Sequence, residues 1–218
     1  MCLLIPSLLV NTREEFERRL RLVEHGAELM HVDVLDGTLF PATSWHDAAA
    51  VGGMDTPAHY ELHLMVDDPL PVVEAWKRQV PNLRRAIVHA EAPHPTDALV
   101  EQLKQWGLEA GVALNPETPL EDVQHLLAVL DQLTVMGVHP GASGQAFLGE
   151  PILEKIRAAK HARPDLPVEM DGGATEELLP ALVQAGCNRI VAANAVFGAA
   201  DPADALRRLV HLATAARL

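Results

Sequence analysis

Four side chains of this chain have the types and spacing to do chemistry together: His31 and Asp33 in LMHVDVLDG, His63 in YELHLMV, and Asp171 in VEMDGG. Each lies near the end of a short apolar run of the kind that forms a β-strand. His31 and Asp33 are two residues apart, so on a strand they face the same side. Two imidazoles and two carboxylates form a ligand set for one divalent metal ion, and this set suits Zn, Fe(II), Mn or Co. A single histidine in an apolar run is more often a hydrogen-bonded core residue. An HxD pair joined by a second His and a second Asp at other strand ends favours the metal. Three strand ends can supply ligands to one point only if the strands converge, as in a closed parallel barrel with its site at the C-terminal rim.

The rest of the chain has the elements such a barrel needs. Strand-like runs are LLIPSLL (3–9), LMHVDVL (29–35), HYELHLM (59–65), RAIVHA (85–90), EAGVAL (109–114), QLTVMGV (132–138), PVEMDG (167–172) and RIVAA (189–193). They are short and mostly apolar, as strands covered on both faces should be. Helical patterns fall between them at 12–26, 68–79, 94–107, 118–130, 150–162, 175–186 and 201–216, with the weakest at 45–53. Thr12 with Glu15 three residues on, and Gly26 at the far end, mark the start and stop of the first helix. Eight strands alternating with eight helices predict a single-domain (β/α)8 TIM barrel spanning 1–218.

Bulk composition narrows the function. With 218 residues, 49% hydrophobic and 22% charged, the chain suits one soluble domain with a sizeable core. Its net charge of −13 argues against a nucleic-acid partner. No apolar run approaches the roughly 20 residues of a membrane helix, and MCLLIPSLLV lacks the basic start of a signal peptide. Cys2 and Cys187 read as reduced thiols, so a cytoplasmic location is expected. An acidic protein can still bind an anion through backbone N–H groups. Gly141 and Gly144, Gly172 and Gly173, and the Ala193-Asn194 turn all follow strands and are candidates for that role. Asn194 can add a side-chain N–H. Glu169 has the parity to point into the barrel, where a hydrogen bond to a metal ligand or a purely structural pairing are both open. Asp36 reads as a turn residue.

At HVDVLDG, HLM, VHAEA, LNP, HPGASGQAF and MDGG the chain resembles the ribulose-phosphate 3-epimerase family, from IPSLL (5–9) to VFGAADP (196–202). The resemblance implies a (β/α)8 barrel that epimerises a phosphorylated ketopentose at C3 with a divalent metal, commonly as a homo-oligomer. It implies that His31, Asp33, His63 and Asp171 hold the metal, and that Asp33 and Asp171 are the two acid/base groups. It also implies that Ser7 and His63 contact the sugar phosphate, with Met65 as a pocket wall. In such chemistry one carboxylate removes a proton beside the ketone, a metal stabilises the resulting enediolate as a Lewis acid, and the other carboxylate returns a proton to the opposite face. His89 and His139 sit at the rim, where His89 is a candidate substrate contact.

The chain also departs from the family pattern. PGASGQ replaces PGFGGQ, so Ala142 stands for an aromatic and Ser143 for a glycine; Ala193-Asn194 replaces Gly-Ser; and Ala42 stands where the family has an asparagine. The expected substrate is therefore ribulose 5-phosphate, with another phosphosugar such as a ketohexose 6-phosphate as the alternative. A non-catalytic metal- or sugar-phosphate-binding relative is a further one, against which the paired acids argue. No lysine falls at a predicted strand end, which disfavours Schiff-base chemistry.

Overall fold

The computed structural model describes residues 2–142 and 144–216. Eight strands run β1 (Leu3–Pro6), β2 (Leu29–Leu35), β3 (His59–Met65), β4 (Leu83–His89), β5 (Glu109–Leu114), β6 (Gln132–Met136), β7 (Val168–Asp171) and β8 (Arg189–Ala192). All neighbouring pairs are parallel, in the order β1-β8-β7-β6-β5-β4-β3-β2. The ring closes between β1 and β2 through the parallel bridge Ser7–His31, with Leu8 N–H donating to His31 O at 2.7 Å. The chain is thus a single-domain (β/α)8 TIM barrel, as its alternation of strand and helix patterns predicts.

The helices are α1 (Arg13–Val23), α2 (Ala48–Gly52), α3 (Pro69–Gln79), α4 (Thr96–Gln105), α5 (Glu150–Ala162), α6 (Leu179–Ala185), α7 (Asn194–Phe197) and α8 (Pro202–Ala215). Each outer helix packs an apolar stripe on the barrel. In α1 the stripe is Phe16, Leu20 and Val23, and Thr12 caps the helix by accepting Glu15 N–H at 3.2 Å. The outward-facing strand residues, such as Val32, Val34, Leu62 and Leu64, meet these stripes to form the main core.

Four elements differ from the sequence reading. The first strand is shorter than 3–9, because the chain leaves β8 after Pro6 and then follows β2. The 118–130 segment forms a 3-10 turn over Leu120–Leu126 rather than an α-helix, in the short span between Pro119 and β6. In 175–186 the helix begins only at Leu179, just before Pro180, with a turn from Thr175 ahead of it. Finally, α7 has no counterpart in the sequence reading; its four residues are too few to carry a periodic signal.

Inside the barrel, below the predicted site, lies a polar layer. Arg85, 1% exposed, forms ion pairs with both Glu61 and Glu109, and Arg189 donates to Gln132. Gln132 donates to Thr134 at 3.0 Å, and Thr134 donates to Glu169 at 3.0 Å. Two of these carboxylates, Glu61 and Glu169, are fully buried. Arg85 is taken up by Glu61 and Glu109 and Arg189 is turned to Gln132, so neither pairs directly with Glu169, and the two carboxylates divide accordingly. Glu61 is pulled down to about 2 because His31 and Arg85 outweigh its burial. Glu169 is pushed up to about 8 by burial and by the charge of Glu61, so at neutral pH it is mostly the acid.

The folded chain thus holds a proton on Glu169 that an unfolded chain releases above 4.5. That stabilisation is complete below pH 4.5 and is lost as pH rises through about 8. Glu169→Gln should remove the slope. Urea unfolding of metal-stripped protein at pH 5 and pH 8.5 is expected to show wild type losing roughly 2 kcal/mol or more relative to the variant. Parallel losses in both proteins would contradict a protonated Glu169.

Candidate active site

The strands bring the four predicted ligands to one point at the C-terminal mouth of the barrel. β2 supplies His31 and Asp33, the facing position on β3 supplies His63, and β7 ends on Asp171. One donor atom from each lies within 4.8 Å of the others, and all four residues are buried. His63 Nδ1 sits 3.1 Å from Asp33 Oδ1 and 3.1 Å from Asp171 Oδ2. His31 Nε2 sits 3.4 Å from Asp33 Oδ1 and 3.6 Å from Asp171 Oδ2. Sequence spacing within β2 puts two of these side by side; the barrel closure brings in the others.

This cluster is unbalanced without a cation. Two carboxylates at such separations repel by roughly 3 kcal/mol even at an effective dielectric constant of about 20. Burial favours neutral imidazole, yet the carboxylates outweigh it, leaving His31 well above its ordinary pKa and His63 raised to about 9. Asp33 is lowered for the reciprocal reason, its burial being outweighed by the two histidines. His31 Nδ1 donates to Glu61 at 2.9 Å, so its Nε2 faces the carboxylates, and that Nε2 has no hydrogen-bond partner. An unpartnered buried nitrogen aimed at two carboxylates, with a second imidazole beside it, fits a divalent ion. His31, Glu61 and Glu169 form a second close trio. In that trio Glu61 is already engaged on both oxygens, by His31 Nδ1 and by Arg85, so the polar layer itself supplies its counter-charge.

The cluster opens onto a cavity of about 290 Å³. Asp33 and Asp171 line it, whereas His31 and His63 do not. The carboxylates therefore face both the centre of the cluster and the cavity, and the imidazoles face only the centre of the cluster. Ser7 lines the cavity and donates to Asp33 Oδ2 at 2.6 Å, fixing that carboxylate. Of the other residues expected to contact substrate, Met65, Gly141, Ala142, Gly144, Gly172, Gly173, Ala193 and Asn194 line the cavity. His63 does not; it stands behind the two carboxylates. Ser143 lies outside the described residues.

Gly172 and Gly173 are required by packing as well as by any ligand. Both have positive φ, 98° and 77°, and a Cβ would meet Val138 Cγ2 at 2.4 Å and the Phe147 backbone at 2.8 Å. Several contributors escaped the sequence reading. Met136, Val138, Gln145, Thr175 and Val191 also line the cavity, and Gln145 pins the loop by donating to His139 O at 2.7 Å and Ala142 O at 3.0 Å. His139 is at the cavity mouth, paired with Glu117 at 2.7 Å. His89 does not reach the cavity: it is buried behind His63, 2.8 Å away. The Thr and Gln contributors carry no spacing signal, and the expectation that His89 would touch substrate gives way to its place behind His63.

Fold and site together define a parallel barrel with a buried histidine–aspartate cluster that opens onto a cavity at its C-terminal rim. The family model for the ribulose-phosphate 3-epimerase family matches residues 3–197, and the chain belongs to that family. It is similar to the ribulose-phosphate 3-epimerase of Bacillus subtilis, 32% identical over 212 residues, covering 94% of this chain and 96% of that protein. It is likewise similar to the cytoplasmic isoform of ribulose-phosphate 3-epimerase from Oryza sativa subsp. japonica, 33% identical, covering 94% and 91%. Among solved structures, KGPDC from Streptococcus mutans superimposes with a TM-score of 0.75 at 14% identity, covering 99% of this chain and 98% of that one. 3-Hexulose-6-phosphate synthase from Salmonella typhimurium does so with a TM-score of 0.69 at 15% identity, covering 98% and 99%. Those two likenesses concern the barrel alone. The protein is thus an isomerase of the racemase and epimerase class. Among the described residues no helix is long and apolar enough to cross a membrane.

A cation entering the cluster must displace protons held by the imidazoles. Zinc titration by calorimetry at pH 7 in buffers of differing ionisation enthalpy should show proton release, with apparent affinity falling as pH drops below about 9, where His63 protonates. Binding without proton release would mean that zinc is held elsewhere.

Proposed function

We propose that this enzyme interconverts ribulose 5-phosphate and xylulose 5-phosphate by removing and returning the proton at C3, with one divalent ion held by His31, Asp33, His63 and Asp171. The observation that carries the reading is the buried two-histidine, two-aspartate cluster opening onto a cavity through its carboxylates alone. When bound, a divalent ion supplies Lewis-acid stabilisation of negative charge on substrate oxygen, worth several kcal/mol. Asp33 and Asp171 come from β2 and β7, on different sides of the ring, which suits one acid on each face of a planar intermediate. Ser7 holds Asp33 in place, and Met65 and Met136 give an apolar wall that keeps water from the reacting carbon.

The phosphate would sit between Gly172-Gly173 and Ala193-Asn194, at the loops after β7 and β8 where barrels of this kind commonly bind it. Backbone N–H groups and the Asn194 amide would hold it in place of basic side chains. Gly141 and Ala142, held by Gln145 through His139 O and Ala142 O, would cover the sugar together with Gly144.

A longer phosphosugar is the second reading, and one observation favours it. A neighbouring cavity, lined by Asn11, Thr12, Arg19, Ala42 and Thr43, shares Leu9, Gly141 and Ala142 with the first. Two of the small residues that depart from the family pattern, Ala42 and Ala142, thus meet at one gap beside the sugar position.

A panel of ketose phosphates assayed for epimerisation with several divalent metals separates the readings. The five-carbon substrate is expected to lead, and Ala142→Phe should lower KM for it while leaving kcat similar. A dominant six-carbon substrate that Ala142→Phe excludes would support the second reading. Asp33→Asn and Asp171→Asn should each reduce turnover at least 10²–10⁴-fold. In D2O one of them should still exchange the C3 proton of a single epimer. Near wild-type turnover in either variant would refute the two-acid mechanism.

A further inference from the structure

Behind the candidate metal cluster stands a relay that no part of the epimerisation mechanism uses. His89, fully buried at the end of β4, stacks on His63 with ring centroids 4.9 Å apart and planes at 16°. His89 Nε2 is 2.8 Å from His63 Nε2, and His89 Nδ1 is 2.9 Å from Glu91 Oε2. The other oxygen of Glu91 accepts the Asn115 N–H at 2.8 Å and the Thr118 hydroxyl. That loop is itself fastened by Lys155 of α5, whose Nζ donates to Asn115 O at 2.9 Å, Pro116 O at 2.8 Å and Thr118 O at 2.6 Å.

Resting on the metal reading above, we propose that Glu91 and His89 are positioning residues that fix the tautomer of His63, so that its Nδ1 lone pair is presented to the ion. A carboxylate accepts only, so the proton between Glu91 and His89 belongs to His89 Nδ1. Two ring nitrogens 2.8 Å apart need one proton between them. With the His89 proton on Nδ1, its Nε2 is an acceptor, and the shared proton belongs to His63 Nε2. In the neutral ring that a cation would require, His63 Nδ1 is then the nitrogen without hydrogen, and it lies 3.1 Å from both Asp33 Oδ1 and Asp171 Oδ2.

The two metal-facing histidines are thus supported differently. His31 donates directly to a carboxylate, Glu61. His63 donates through Nε2 to a neutral ring, which fixes the proton on the nitrogen turned away from the cluster without placing another negative charge beside Asp33 and Asp171. The carboxylate that orients the ring is held one residue further out, in contact with the loop after β5.

Zinc titration of stripped full-length protein tests this, with His63→Ala, His89→Phe, His89→Gln and Glu91→Ala beside wild type. His89→Phe and Glu91→Ala are expected to weaken zinc binding about 10- to 100-fold. His89→Gln, whose side-chain carbonyl can accept the His63 Nε2 proton, is expected to recover most of that loss. In zinc-loaded wild type labelled with 15N-histidine, a scalar coupling across the bond between His63 Nε2 and His89 Nε2 should appear, with the proton on His63. That measurement needs no variant and decides the matter if His89→Phe does not fold. Unchanged zinc affinity in folded His89→Phe, or the shared proton on His89 Nε2, overturns the relay. If His63→Ala loses zinc and His89→Phe keeps it, the relay alone fails; if His63→Ala keeps zinc, the metal reading fails and the relay with it.

Discussion

Two carboxylates and two imidazoles buried with their donor atoms within 4.8 Å of one another need positive charge at their centre, and much of the barrel's polar architecture answers that need. In the metal-free cluster the need is met by protons, which is why burial fails to lower His31 and His63. A divalent ion would meet it better, because it would neutralise both aspartates at once and leave the imidazoles neutral. The polar layer beneath follows the same rule. Arg85 balances Glu61, and Glu169 keeps its proton, so that the barrel interior adds little further negative charge below the site.

Parallel strands make this concentration of charge possible. Each strand contributes only one or two inward side chains at the rim, so the ligands need no irregular backbone. Closure through Ser7 and His31 then serves two purposes. It completes the ring between β1 and β2, and it places the Ser7 hydroxyl on Asp33. The division of faces follows from strand direction as well. Asp33 and Asp171 reach the cavity, while His31 and His63 are covered, so under the proposed function proton transfer and ion retention would fall to overlapping but distinct sets of residues.

Much of this is legible in the sequence because strand parity is a strict rule. The HxD spacing in β2 and the single apolar runs around His63 and Asp171 point to convergence on their own. The alternation of runs points to the barrel. What is not legible depends on contacts between strands far apart in the chain. His89 reads as a rim residue from its place at the end of β4, yet the ring of strands turns it onto His63. Nothing in VHAEA says that Glu91 would meet both His89 and the loop at Asn115 and Thr118. Glu169 has the right parity, but its protonation depends on Glu61 across the barrel. Short irregular elements such as α7 and the 3-10 turn at Leu120–Leu126 also lie below the reach of periodicity, since so few helical turns leave no pattern.

The central claim is that one ion sits where the four side chains converge, and anomalous X-ray diffraction at the zinc edge from zinc-loaded crystals tests it most directly. The account predicts one strong peak per chain within about 2.0–2.2 Å of His31 Nε2, His63 Nδ1 and oxygens of Asp33 and Asp171. A peak bound elsewhere on the protein, with no density between the four side chains, would contradict it.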